Sequence, residues 1–420
     1  MKWEKSKEMG KNFTVLLGAQ IFLCFGGLAI PPLIPFFQPE LELTYSQVGS
    51  IMSFLYLGAI LMSLPAGWIT DRLGVKKTIV FSLIFSGFFV ALLGLIESYL
   101  AAVFFTFLVG LGYGMSNPPT TKGIMVLASE GNRGLAMSAK QTGVPLAGGL
   151  AAAVLPPLAL LISWKFSFVL AGAAIFLAGL LSQVLYRSAK EQNPLSRPVA
   201  EEVPRREWGK ILKNRNMILL SVAGAFCALV QSSLFTYTIL YLKDARGFEL
   251  IRAALCLTLM NGGGILGRIF WGILSDRLFR GSRKIVLQLL VSLIFLITLV
   301  LALDLPLSPL VLTSILFVLG ASAIGWNGVY HAFIGEMSGK EMAGRATGLA
   351  MAIVFMGGAM GPILFGRIVD AYHSYRAAWL FLCAAMAGAF VVYGLIQETG
   401  SPDPGKAAKG YLPDDAADKS

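Results

Sequence analysis

Apolar runs long enough to cross a lipid bilayer recur twelve times along the chain, each bounded by a short polar turn. About 20 apolar residues span a hydrocarbon core of roughly 30 Å as an α-helix. The runs fall at 13–37, 44–68, 78–97, 100–125, 134–162, 166–186, 216–242, 250–273, 285–303, 309–334, 343–369 and 376–396. The pattern predicts an all-α membrane protein with twelve transmembrane helices. The first run is too long for the apolar core of a secretory signal, and no convincing A-x-A site closes it, so it reads as the first spanning helix.

Composition agrees with this reading. The 420 residues are 56% hydrophobic and 14% charged, and the mean hydropathy is +0.72, a balance that a soluble domain does not carry. Charge then sets the orientation. Of the 34 Lys and Arg, 25 fall in the termini and alternate loops on one side and six on the other, with Lys122, Lys140 and Arg268 left inside or near spans. Short loops rich in Lys and Arg stay cytoplasmic, so both termini are expected inside, in a bacterial or archaeal cell membrane. The +11 net charge is topology, and no nucleic-acid partner is expected.

Polar punctuation divides the chain further. Residues 1–186 and 216–396 each hold six runs. Between them, 187–215 is rich in Pro and basic residues and reads as a cytoplasmic linker, with Trp208, Ile211 and Leu212 suited to a short interfacial helix. The polar tail 397–420 is expected to be disordered. The halves repeat one another. GWITDRLGVKK at 67–77 returns as GILSDRLFRGSRK at 272–284, pairing Gly67, Asp71, Arg72, Gly74 and Lys76 with Gly272, Asp276, Arg277, Gly281 and Arg283. Gly110 and Asn117 match Gly320 and Asn327, and Gly134-Leu135-Ala136-Met137 matches Gly348-Leu349-Ala350-Met351. A small residue lets helices approach, and the basic cluster stays at the interface. Gly67, Asp71, Arg72, Gly74, Lys76, Gly272, Asp276 and Arg277 are accordingly assigned to gating and topology. This twice-seen loop resembles the signature between helices 2 and 3 of the major facilitator superfamily. The resemblance implies two pseudo-symmetric six-helix halves around a central cavity, and secondary transport by alternating access.

Ionisable groups inside a membrane are costly unless they face a partner, water or a ligand. Arg268 lies eight residues before Asp276, roughly 12 Å up the helix. The string Arg268-Ile-Phe-Trp-Gly272-Ile-Leu-Ser-Asp276 resembles helix 8 of monocarboxylate transporters and of nitrate/nitrite porters, where an arginine binds the substrate anion. The alternative is a structural arginine bonded to carbonyls. The first helix lacks the lysine of the monocarboxylate family, Gly264 stands where the animal carriers place an aspartate, and Ser63 occupies the first-half equivalent of Arg268. Lys140 and Gln141 lie about two turns inside helix 5, where the lysine either snorkels or faces the cavity; Lys122 is expected to snorkel. Every Asp and Glu falls in a loop, tail or helix end. The intramembrane cations therefore lack a countercharge that an anionic substrate would supply.

Tyr113, Asn117, Gln231, Tyr237, Asn261, Trp326, Asn327 and Tyr330 complete the candidate pocket. Pro118 and Pro119 after Asn117, and Gly328 after Asn327, predict matching distortions in helices 4 and 10. His331 is the candidate for proton coupling, since histidine titrates near neutral pH; a neutral packing histidine is the other reading. The four cysteines have no metal-like spacing and no phosphate-binding loop follows a strand. No cofactor, metal or enzymatic activity is expected, and the partners are a small anion, a proton or counter-anion, and the lipid. The expectation is a monomeric transporter of a small organic anion, a monocarboxylate first. Drug export is the runner-up, because Thr106 replaces the helix-4 arginine of drug–proton antiporters, whose helix-5 signature is only loosely echoed at 143–149.

Overall fold

The computed structural model of the protein describes residues 2–128, 133–187, 214–279 and 282–397. The expected linker helix at Trp208, Ile211 and Leu212, residue Gly281 and the tail lie outside them. All twelve apolar runs form helices: α1 (Glu8–Glu40), α2 (45–73), α3 (75–92), α4 (Tyr99–Leu127), α5 (Arg133–Leu161), α6 (Trp164–Leu185), α7 (Arg215–Asp244), α8 (Leu250–Arg277), α9 (Arg283–Ala302), α10 (Pro309–Ser338), α11 (Ala346–Tyr372) and α12 (Tyr375–Gly394). Polar turns start them where the chain leaves the apolar phase. Ser98, Ser163, Asn214 and Ser308 each cap a helix by accepting a backbone N–H with the side chain.

Four helical breaks matter for the site. α1 turns at Ala29, just before Pro31 and Pro32. α4 pauses at 115–116, before Asn117-Pro118-Pro119, and α10 pauses at 324–326, before Asn327, the matching distortions that the repeat predicts. Between α2 and α3 the backbone turns at Gly74, whose φ of 80° and ψ of 164° suit a residue without a Cβ.

Packing repeats between the halves down to single atoms. A Cβ placed on Gly110 of α4 would strike the Leu55 carbonyl of α2, and one on Gly320 of α10 would strike the Met260 carbonyl of α8. Gly58 against the Phe107 carbonyl is matched by Gly263 against that of Phe317. Without a hydrophobic driving force between helices in lipid, such backbone approach is what holds them together. The basic loops behave differently. A Cβ on Gly67 or Gly272 would meet nothing within 4 Å, so no neighbouring helix among the described residues packs against these glycines in this conformation.

At the other end of the bundle the halves are clasped. Both Asp370 carboxylate oxygens accept from the first turn of α2, at 3.0 Å from the Tyr45 N–H and 2.7 Å from that of Ser46. A carboxylate there also meets the positive end of the helix dipole. The Tyr45 hydroxyl donates to Asp244 at 2.9 Å, and Tyr375 donates to the same oxygen at 3.2 Å. Tyr237, expected in the pocket, belongs to this clasp: its hydroxyl is 2.7 Å from the Tyr45 carbonyl and 2.9 Å from that of Pro362. Two turns further along α2, Ser53 donates to the Ala359 carbonyl.

Two outcomes follow from this packing. Gly320→Val, and equally Gly110→Val, overpacks a carbonyl contact and should cost about 1–3 kcal/mol, read as a lowered melting temperature in detergent, whereas Gly67→Ala should stay within about 0.5 kcal/mol; an unchanged melt for both valine variants would contradict the packing. Asp370→Ala removes two charge-assisted hydrogen bonds worth roughly 1.5–3 kcal/mol each. A cysteine placed at Ser46 should then label faster than in the parent, and equal rates would mean that the clasp is held elsewhere.

Candidate functional site

The middle of the bundle holds two cations without a carboxylate. Lys140, on α5, is only 1% exposed. Its Nζ donates at 2.8 Å to Asn117 Oδ1 and at 2.8 Å to Thr121 Oγ1, both on the second piece of α4. It therefore does not snorkel to the interface. Asn117 itself is exposed, so the amide stands between the buried ammonium and open space.

Arg268 reaches across from α8, half-buried. Its Nε donates at 3.3 Å to the Ile324 carbonyl, in the pause of α10, and its Nη1 donates to the Gln141 carbonyl on α5. The residue that accepts from Arg268 thus directly follows Lys140 in sequence, and the two cations border one turn of α5. Nη2 has no hydrogen-bond partner among the described residues. Among those residues the carboxylates sit at helix ends and turns, which carries the sequence expectation of missing countercharge into three dimensions.

Around this pair the breaks place polar groups. Gln231 of α7 is half-buried, and its Oε1 accepts from Trp326 Nε1 at 2.8 Å and from Asn327 Nδ2 at 3.2 Å. Trp326 is buried, so it orients Gln231 rather than lining open space. His331, half-buried one residue beyond Tyr330, lies within electrostatic reach of both Arg268 and Lys140. Tyr113 lies within reach of Arg268. Gln141 is half-buried, with its backbone rather than its side chain engaged.

Two other expectations are corrected. Tyr330 is fully buried, packed edge-to-face on Trp326 at 4.9 Å and against Gly224, so it is core rather than pocket. Asn261 is also buried; its Nδ2 donates back to the Leu257 carbonyl at 2.9 Å, and its oxygen faces Gly148 where α5 and α8 pack. Sequence reasoning passed over three groups on α1 and α4. Gln20 Oε1 accepts from Thr120 Oγ1 at 2.8 Å, and Gln20 Nε2 lies 3.1 Å from Cys24 Sγ, which is within reach of both cations. Their signal was present, since Gln20 is the one amide inside the first apolar run.

The repeated basic loops form ion pairs within each half. Asp71 accepts from Lys122 of α4 at 2.8 Å, so Lys122 pairs rather than simply snorkelling. Asp276 accepts from Arg283 at 2.5 Å, and Arg283 also reaches Glu336 of α10 at 2.9 Å. The Arg72 guanidinium lies 3.8 Å over the Trp68 ring. Arg277 is exposed and Lys76 half-buried.

Comparison with known proteins places these features in a family. The model of the Major Facilitator Superfamily matches residues 16–353. The probable sulfoacetate transporter SauU of Cupriavidus necator is 26% identical over 371 residues, covering 81% of this chain and 83% of its own. The probable galactarate/D-glucarate transporter GudP of Bacillus subtilis is 26% identical over 392 residues, covering 86% and 85%. Among solved structures, a bacterial homologue of the human lysosomal transporter Spinster in an inward-facing, occupied conformation superposes with a TM-score of 0.74 at 17% identity, covering 93% of this chain and 98% of that one. Twelve spanning helices among the described residues, two pseudo-symmetric halves, helices broken midway and the twice-repeated basic loop thus agree with the family match: the chain is a multi-pass membrane transporter belonging to the Major Facilitator Superfamily.

Proposed function

We propose that the protein carries a small organic anion by alternating access, with its termini in the cytoplasm and the present conformation closed outward. The observation that carries this reading is the Arg268–Lys140 pair, two cations at mid-depth whose described partners are all neutral. Burying unpaired charge is expensive, and a bound anion offsets that cost. Relatives named for sulfoacetate, galactarate/D-glucarate and hexuronate transport support an acidic substrate. A monocarboxylate, the first expectation from helix 8, is one member of that class. Drug export has no observation in its favour, since Thr106 stands buried where an arginine would be required.

The broken helices give the site its shape. The Ile324 carbonyl at the α10 pause and the Gln141 carbonyl of α5 hold Arg268 and leave its Nη2 for the ligand, and irregular backbone such as the α10 pause is tolerated at this depth only beside protein or a cavity. Movement then exchanges the clasp at one end for closure of the basic loops at the other. Gly67 and Gly272, open in this conformation, are small so that helices can meet there in the alternate one.

A screen of the purified protein with carboxylates, sulfonates, inorganic anions, sugars and hydrophobic cations tests the class. A ligand at 100 times its dissociation constant stabilises by about 2.7 kcal/mol, and only the acids should do so. Arg268→Lys should weaken uptake despite keeping charge, because an ammonium does not reproduce the guanidinium fork. Wild-type uptake by Arg268→Ala at equal expression would remove Arg268 from the site. Coupling is separable in proteoliposomes. Accumulation driven by a pH gradient and lost in His331→Gln assigns the proton to His331; accumulation insensitive to that change leaves the proton with the substrate; flux that needs an anion on the far side and ignores the gradient means exchange.

A further inference from the structure

We infer that the substrate is a dianion, one of whose acidic groups meets Arg268 while the other is read by Lys140 through Asn117. This inference rests on the anion reading above and narrows it. The argument begins with the chemistry of donors. An ammonium has N–H groups and no acceptor, so the Asn117 side chain has to turn its oxygen toward Lys140, as the 2.8 Å contact shows. The amide nitrogen is then left on the other side, without a hydrogen-bond partner among the described residues. Because Asn117 is exposed while Lys140 is 1% exposed, those amide N–H groups face the open space.

Lys140 is in this sense a positioning residue. It fixes which end of Asn117 the substrate meets, and its own positive charge stands directly behind that donor. Thr121 takes a second Lys140 proton at 2.8 Å, holding the ammonium in place. The opposite wall follows the same logic. Trp326 Nε1 is a donor only, so Gln231 must present its oxygen to it, as it does at 2.8 Å. Gln231 is left with amide N–H groups that have no partner among the described residues. Arg268 contributes its Nη2. Helices α4, α7 and α8 thus each carry an N–H donor without a hydrogen-bond partner among the described residues.

Charge decides between one anionic group and two. Two cations, Lys140 of α5 and Arg268 of α8, meet at one turn of α5, and the carboxylates among the described residues sit at helix ends and turns. A monoanion leaves one of these charges uncompensated in a low-dielectric setting, whereas a dianion compensates both. Single-point attachment at Arg268 would also leave the donor that Lys140 prepares to water, so a second acidic group adds a charge-assisted contact that a monoanion does not make.

Thermal stabilisation of the purified full-length protein by matched pairs tests this directly. The pairs are malonate and succinate against their monoamides, and sulfoacetate against methanesulfonate. Each dianion should bind at least about tenfold tighter than its partner, a difference of about 1.4 kcal/mol. Lys140→Met should bring that ratio close to one. Asn117→Asp is the isosteric control: its carboxylate pairs with Lys140, so the melting temperature without ligand should hold or rise, while an oxygen now replaces the exposed N–H groups and dianion affinity should fall at least about tenfold. Should Lys140→Met not fold, Asn117→Asp carries the test alone. Equal affinity for dianions and monoanions, or an unchanged ratio in a folded variant, overturns the inference and leaves the anion reading standing. Stabilisation by sugars or hydrophobic cations and by no acid overturns both.

Discussion

In a bilayer core no water is available to an exposed N–H or C=O, so backbone that spans it must bond to itself. The candidate site lies where that constraint is relaxed. α1 breaks at Ala29, α4 at 115–116 and α10 at 324–326, and polar side chains gather at the last two. The Ile324 carbonyl, beside the α10 pause, accepts from Arg268 and, more distantly at 3.5 Å, from Asn327. Asn117 opens the second piece of α4 and meets Lys140. The cavity is less a hole lined by chosen residues than the region in which broken backbone and intramembrane charge satisfy one another.

Duplication supplied the frame and divergence supplied the chemistry. The glycine-to-carbonyl contacts of α2 with α4 recur residue for residue between α8 and α10, because a backbone approach tolerates little change. The charges do not recur. Ser63 stands at the first-half position of Arg268 and bonds locally to the Ile60 carbonyl, so α2 brings no cation to the centre. Lys140 and Arg268 come from α5 and α8, which are not mates in the repeat but pack together. The site is therefore intrinsically one-sided, even though the scaffold around it is nearly symmetric.

The twelve spans, the repeat and the breaks at Asn117 and Asn327 were legible in sequence because each rests on a local property: a run of apolar residues, a recurring string, a proline pair. The role of Lys140 was half-legible. Its depth showed that it was unusual, but only the fold brings Asn117, 23 residues away, to its amine. Tyr237 and Tyr330 were misplaced for a related reason: depth along a helix is written in the sequence, whereas the face a tyrosine presents depends on its neighbours. Asp370 reads as an ordinary acid at a helix end, and its partners at 45 and 46 are more than 320 residues distant. Gly74 was singled out within the loop as a small residue, and the structure gives it a conformational reason as well.

The first turn of α2 is finished twice. Thr44 and Gln47 close a reciprocal capping box within the turn itself, while Asp370 of the opposite half takes the next two N–H groups. A helix whose start depended wholly on a foreign carboxylate would fray as soon as that partner withdrew. Here the internal cap keeps its hold, so the halves can part along a boundary whose one side is already self-contained, with water replacing the Asp370 bonds and the hydroxyl contacts of Tyr45, Tyr237 and Ser53. The mouth of the protein is thereby built as a detachable seam, with separation requiring rehydration of a few side chains and of the start of α2 rather than local unfolding.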